Sequence, residues 1–316
     1  MGRRRRRGRA AARRAGRGRA RGRQEVSQEP AAGYYSRPVL KEPVWKAEIP
    51  VYFFLGGLAG AAAGLGFMAR LGSNRVLARR ALAASALAIS ACPPLLISDL
   101  GRPERFLNML RVLKPTSPMS IGTWTLSAFS ASVMGAAASE FLGLLRPLGR
   151  LAEAMAALLG LPLTTYTAVL IADTSIPAWH LARRELPFVF AGSAAASAGG
   201  VTAALTPAAE AAAARRLALL GGMTELLAVW VMEHRLGEFG RPYREGGVAR
   251  LATGAKAAIA AGTVLMAFGG RRRGAAAAAA VLLAGGSLAE RFAVVGAGRE
   301  SARSTVGEAT VRDQPT

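Results

Sequence analysis

From residue 48 onward, apolar residues run in blocks of about twenty, broken by short polar interruptions. The stretch 50–69 holds no charged residue, and 251–268 holds one, Lys256. A helix needs roughly 20 mainly apolar residues to cross about 30 Å of hydrocarbon. By that measure the chain predicts about eight spans: 49–69, 79–98, 121–143, 150–172, 187–206, 215–233, 248–268 and 274–295. Pro93 and Pro94 are expected to kink the end of the second. Span 1 carries Gly56, Gly60 and Gly64, a four-residue repeat that predicts a smooth packing face. The expected fold class is an all-α integral membrane protein, its eight helices packed as two four-helix bundles. The expected organisation is a tail and polar linker over 1–47, a membrane domain over 48–296 and a polar C-terminal tail over 297–316.

Composition agrees with the pattern. Over half of the residues (52%) are hydrophobic, only 19% are charged, and mean hydropathy is +0.27. Alanine and glycine supply much of the apolar count, which suits close approach of backbones in a bilayer. The net charge of +22 is uneven: residues 3–23 hold twelve Arg and no acid. That tail reads as a disordered basic segment. It is expected to set topology or to meet anionic lipid, and nucleic acid is not expected as a partner.

Eight spans place both termini and the 2–3, 4–5 and 6–7 segments on one side, and these are the longer segments. The other side has only the short turns 70–78, 144–149, 207–214 and 269–273. Arg and Lys are numerous on both sides outside the tail. The tail alone tips the positive-inside rule, so the elaborated face, with both termini, is expected in the cytoplasm of a multi-pass cell-membrane protein.

Several chemistries lack their residues. Cys92 is the sole cysteine, which excludes a disulfide framework and an iron–sulfur cluster held by this chain alone. The two histidines, His180 and His234, fall in or beside loops, so a haem has no bis-histidine site in the spans. No metal ligand set is expected, and no glycine-rich phosphate loop occurs in a strand-to-helix context. Redox chemistry in this chain therefore requires a diffusible carrier and a partner.

Ionisable groups inside spans are costly and mark candidate sites. Glu225 in span 6 and Lys256 in span 7 both lie roughly 12 Å from the elaborated face at 1.5 Å per residue. They read either as a structural ion pair or, for Glu225, as a proton relay or headgroup contact. Tyr166 in span 4 reads either as an interfacial tyrosine or as a donor to a ligand carbonyl. Glu290 and Arg291, near the expected end of span 8, are expected to snorkel. Glu140 and Glu153 are expected at the opposite interface.

Four segments carry a resemblance. Span 1 reads PVYFFLGGLAG from Pro50 to Gly60. The 2–3 segment reads DLGRPERF from Asp99 to Phe106, then KPTSPMSIGTW from Lys114 to Trp124. The exit of span 4 reads YTAVLIADTSIPAWH from Tyr166 to His180, then ELPF from Glu185. The end reads RFAVVGAGRESAR from Arg291 to Arg303. Together these resemble the NrfD/polysulfide-reductase family of membrane-anchor subunits, over about 45–305.

The resemblance implies an eight-helix quinone-binding anchor without a redox centre of its own and not catalytic alone. It implies a four-cluster, ferredoxin-like iron–sulfur subunit and a molybdopterin catalytic subunit as partners, and menaquinone or ubiquinone as the carrier. Tyr166 matches the family's span 4 tyrosine at the quinone. Asp99, Gly101, Arg102 and Pro103 match the family's loop motif, and Glu225 stands where the family often has an acid. Some members carry a span 1 histidine that is missing here, with Glu48 and Tyr52 as substitutes. His180, beside Asp173 in the exit of span 4, joins the candidates at the headgroup. Quinol oxidation releases two electrons and two protons, and Glu225 and Asp173 are the expected proton carriers. Two other readings stand beside this one, a transporter of ions or small molecules and a structural anchor without quinone.

Overall fold

A computed structural model describes residues 43, 45–100, 104–111 and 113–312. The arginine tail and Arg102 lie outside the described residues, as do Gly101 and Pro103. Eight long helices stand where the apolar blocks predict them. They are α1 (Glu48–Leu71), α2 (Arg75–Asp99), α4 (Pro118–Leu142), α5 (Arg146–Ala172), α7 (Leu186–Leu205), α8 (Ala212–Arg235), α9 (Gly246–Gly269) and α10 (Arg273–Arg312). Two short helices, α3 (Arg105–Arg111) and α6 (Pro177–His180), and a 3₁₀ segment (Gly237–Tyr243) lie in the longer connections. No strand occurs among the described residues.

Seven of the eight long helices are long and apolar enough to cross a bilayer. The exception is α4, whose serines and threonines dilute a 25-residue helix. Large apolar side chains point outward along the helices, among them Leu87, Leu161, Leu220, Trp230 and Phe268. In water such a surface would drive aggregation, whereas lipid tails cover it without cost. The chain is an integral membrane protein.

The helix ends have local causes. α4 begins at Pro118, where a missing N–H costs nothing, and ends on Gly143 in the left-handed conformation (φ 74°). Asn74 caps α2 by accepting from the Leu77 N–H at 3.0 Å. Its amide also donates to the Glu210 carbonyl at 2.8 Å, tying two short turns together. α2 continues through Pro93 and Pro94 to Asp99.

Helices α1, α2, α4 and α5 pack as one four-helix bundle, and α7, α8, α9 and α10 as a second, joined where α1 meets α7 and α10. Small residues set the closest approaches. A Cβ on Gly60 would stand 2.6 Å from the Gly160 carbonyl oxygen, and the reverse holds for Gly160, so α1 and α5 touch backbone to backbone. Gly192 brings α7 against the backbone of Glu225 on α8. The expected Gly56/Gly60/Gly64 face is corrected: Gly64 meets nothing within 4 Å and Gly56 only its own helix. α1 instead packs through Gly57, Gly60 and Gly66, because 3.6 residues per turn rotates a strict four-residue repeat away from one contact line.

Two expectations about charge are also corrected. Lys256 pairs with Glu233, not Glu225, with Nζ donating to the two carboxylate oxygens at 2.7 and 2.9 Å. Glu290 and Arg291 do not snorkel: they are 0% and 1% exposed. The helix carrying them runs to Arg312, so the pair sits within the bundle and not at a helix end. On the short-turn face Arg70 joins Glu140 (3.0 Å) and Glu153, with Arg79 on Glu140 at 3.3 Å. Glu153 is buried there, and its partner on α1 locks α1 to α5.

Candidate functional site: a cleft at the elaborated end of the first bundle

The last turn of α2, the first turns of α1 and α4, the end of α5, and α3 enclose a cleft of about 210 Å³. Its walls are mainly apolar: Ile49 and Phe53 on α1, Leu96 and Leu100 at the end of α2, Met109 on α3, Met119 and Leu126 on α4, and Leu170 on α5. Trp45 closes one side. A few polar groups converge on this space, namely Tyr52, Asp99, Thr123, Ser127 and Tyr166. A mostly apolar concavity with a small set of placed polar groups is the usual form of a small-molecule site.

Each polar group has a local reason for its position. Tyr166 projects from α5 toward α4 at Gly122, where any Cβ would overlap the phenol ring. Tyr52 is 5% exposed, and its phenol is an electrostatic neighbour of Tyr166. Among the described residues neither hydroxyl has a hydrogen-bond partner, so both are free to serve a ligand. Asp99 accepts from the Lys46 backbone N–H at 3.1 Å. That bond fastens the end of α2 to the segment entering α1 and leaves the second carboxylate oxygen for the cleft.

Trp45 joins the cleft to the second bundle. Its ring stacks on Trp179 of α6, with centroids 5.4 Å apart and planes at 17°. Trp179 is wholly buried and donates from Nε1 to the Val294 carbonyl on α10 at 2.7 Å. Gly298 leaves the room its indole needs.

Among the expected site residues the structure brings together Tyr166, Tyr52 and Asp99. Glu48 stands in the first turn of α1 without lining the cleft. Asp173 and His180 are exposed on the α5–α7 connection. The His180 ring contacts the Ala172 carbonyl through Nδ1 at 3.3 Å and Arg183 through Nε2 at 3.2 Å. Glu225 lies apart from the cleft lining, buried in the second bundle, where Ser287 donates to it at 3.0 Å. Outside the spans, burial first, then Glu290 and Glu233, pushes the Tyr243 phenol well above its ordinary pKa, so it stays protonated.

Gly122, Thr123 and Ser127 are cleft residues that residue chemistry alone does not mark. A glycine or serine in an apolar helix reads first as packing. Among the described residues no group of His, Cys, Asp and Glu is arranged to hold a metal ion.

Comparison with curated proteins finds no match. The family model described as "Polysulphide reductase, NrfD" matches residues 38–236, from the segment before α1 to the end of α8, and so includes every wall of the cleft. With well over half of its length matched, the chain belongs to the polysulphide reductase NrfD family.

Proposed function

We propose that this chain is the quinone-reactive membrane subunit of a polysulfide-reductase-type oxidoreductase complex, and that the cleft beside Tyr166 takes the quinone headgroup. The observation that carries the reading is two unpartnered phenols and one carboxylate converging in an apolar cleft at the elaborated end of the first bundle. Its volume, about 210 Å³, suits one flat ring system and falls below the roughly 300 Å³ of a site for a whole drug-sized ligand. An isoprenoid tail then lies outside, among lipid. Menaquinone and ubiquinone share these requirements.

When bound, a quinone supplies two-electron, two-proton chemistry. The chain's own residues bind and orient it and handle protons. Tyr166 donates its hydroxyl hydrogen to a carbonyl oxygen, with Gly122 fixing the ring that carries it. Tyr52 offers a second donor from α1. Asp99, held by the Lys46 N–H, offers a carboxylate oxygen as a proton acceptor at the cleft. The walls from Phe53, Leu126 and Met119 exclude water from the headgroup. Glu225 acts on protons from a distance, within the second bundle. Asp173, His180 and Glu48 belong to the same face and serve the contact with a partner.

On this reading a ferredoxin-like iron–sulfur subunit docks on the elaborated face and a molybdopterin subunit lies behind it. The arginine tail favours the cytoplasm for that face. The test is Tyr166→Phe in the assembled complex. A net hydrogen bond of about 1 kcal/mol corresponds to a fall of roughly five-fold in quinone-linked kcat/KM, with assembly intact. Unchanged quinone-linked turnover would remove Tyr166 from the site.

A further inference from the structure

Three charged side chains lie buried together in the second bundle: Glu225 on α8, and Glu290 and Arg291 on α10, at 0%, 0% and 1% exposure. Arg291 donates from Nη2 to the Phe190 carbonyl at 3.0 Å, and its Cζ stands 3.5 Å from the centroid of the Phe190 ring. Glu225 and Glu290 are its electrostatic partners. Among the described residues, though, neither carboxylate comes within 4.0 Å of the guanidinium as an ion pair.

Polar atoms without protein partners concentrate in this space. They are both carboxylate oxygens of Glu290, Arg291 Nε and Nη1, and Glu225 Oε1, with Ser193 of α7 beside Glu225. Native interiors hold only a few such atoms per hundred residues, and a cluster of them is the usual setting of internal water.

The charges also do not balance. Two carboxylates face one guanidinium. The next pair outward, Glu233 with Lys256 of α9, is closed on itself at 2.7 Å. α7 contributes Ser193 and the Phe190 carbonyl, the 3₁₀ segment contributes Tyr243, and α1 presents its backbone at Gly57. None of these adds a positive charge. An unpaired buried carboxylate is among the costliest groups in a protein interior, and taking up a cation relieves it.

We propose that Glu225 and Glu290 share one exchangeable proton across Arg291, bridged by internal water, as a proton-holding site in the second bundle distinct from the Tyr166 cleft. Glu233, Lys256 and Tyr243 stand between Glu290 and the elaborated face and give the site its side of access. Phe53 of the cleft and Phe190 beneath Arg291 approach with centroids 6.3 Å apart. These two rings stand between the cleft wall and the buried guanidinium.

The test uses the whole chain in lipid nanodiscs and needs no quinone, so its result is separate from that of the Tyr166 reading. Dicyclohexylcarbodiimide modifies protonated carboxyls in apolar surroundings. Near neutral pH, mass spectrometry is expected to find one adduct per chain, on the peptide of Glu225 or that of Glu290, declining as pH rises. Glu225→Gln should move the whole adduct to Glu290. Where the reagent fails to enter, infrared spectroscopy decides. A deuterium-sensitive carboxylic C=O band is expected in the wild-type chain and should change in Glu290→Gln. Absence of that band, or simultaneous adducts on both carboxylates of a wild-type chain, overturns the shared proton.

Discussion

Gly122 on α4 leaves the space that the Tyr166 ring of α5 occupies, and a Cβ at position 122 would fall inside that ring. The tyrosine's aim into the cleft therefore depends on a residue with no chemistry of its own. Gly122→Ala should turn the ring away and cost about 1–3 kcal/mol by overpacking. Thermal unfolding in detergent and quinone-linked turnover of the complex should both fall. A variant with full turnover would show that the ring position does not matter.

Gly60 and Gly160 set the contact of α1 with α5 at backbone distance, whereas Gly64 of the same helix meets nothing within 4 Å. Gly160→Val should separate the helices and lower the melting temperature of the purified subunit, by an overpacking cost of at least 1–3 kcal/mol or so. Gly64→Ala should be neutral or mildly stabilising, since alanine is the better helix former. Equal effects at the two positions would contradict the packing described.

Arg70 holds the buried Glu153 and also reaches Glu140. Removing it as Arg70→Met strands Glu153 at 5% exposure. Breaking a buried pair costs about 3–5 kcal/mol, and partial exposure of the Arg70 side chain (26%) places this case toward or below the lower end. Arg79→Met, from a side chain 55% exposed, should cost under about 1 kcal/mol. Denaturation of the two variants side by side reads the difference.

The proposed orientation is open to chemical labelling because Cys92, the sole cysteine, is buried. Thr116→Cys places a thiol on the elaborated face and Arg272→Cys places one on the short-turn face, both at exposed positions. With the elaborated face in the cytoplasm, an impermeant maleimide on intact cells should label position 272 and leave 116 until the membrane is opened. The reverse pattern would place the cleft on the other side.

The spans were legible in the sequence because an apolar block of span length leaves a helix few alternatives in a bilayer. Of the residues that the sequence singles out, the structure gathers Tyr166, Tyr52 and Asp99 around one cleft. What escaped is whatever depends on rotation about a helix axis. Depth alone placed Lys256 level with Glu225, while helix rotation and side-chain reach bring it to Glu233. Glu290 and Arg291 were misplaced because hydropathy falls after 295 while the helix continues to Arg312. Gly122 gave no signal, since a glycine's worth lies in what its neighbour needs.

Photolabelling of the intact complex with an azido-quinone, followed by peptide mapping, shows directly where the headgroup sits. Crosslinks are expected on the α5 peptide containing Tyr166 and the α4 peptide containing Gly122, both abolished by excess quinone. Competable crosslinks confined to the second bundle, or none in this chain, would contradict that placement.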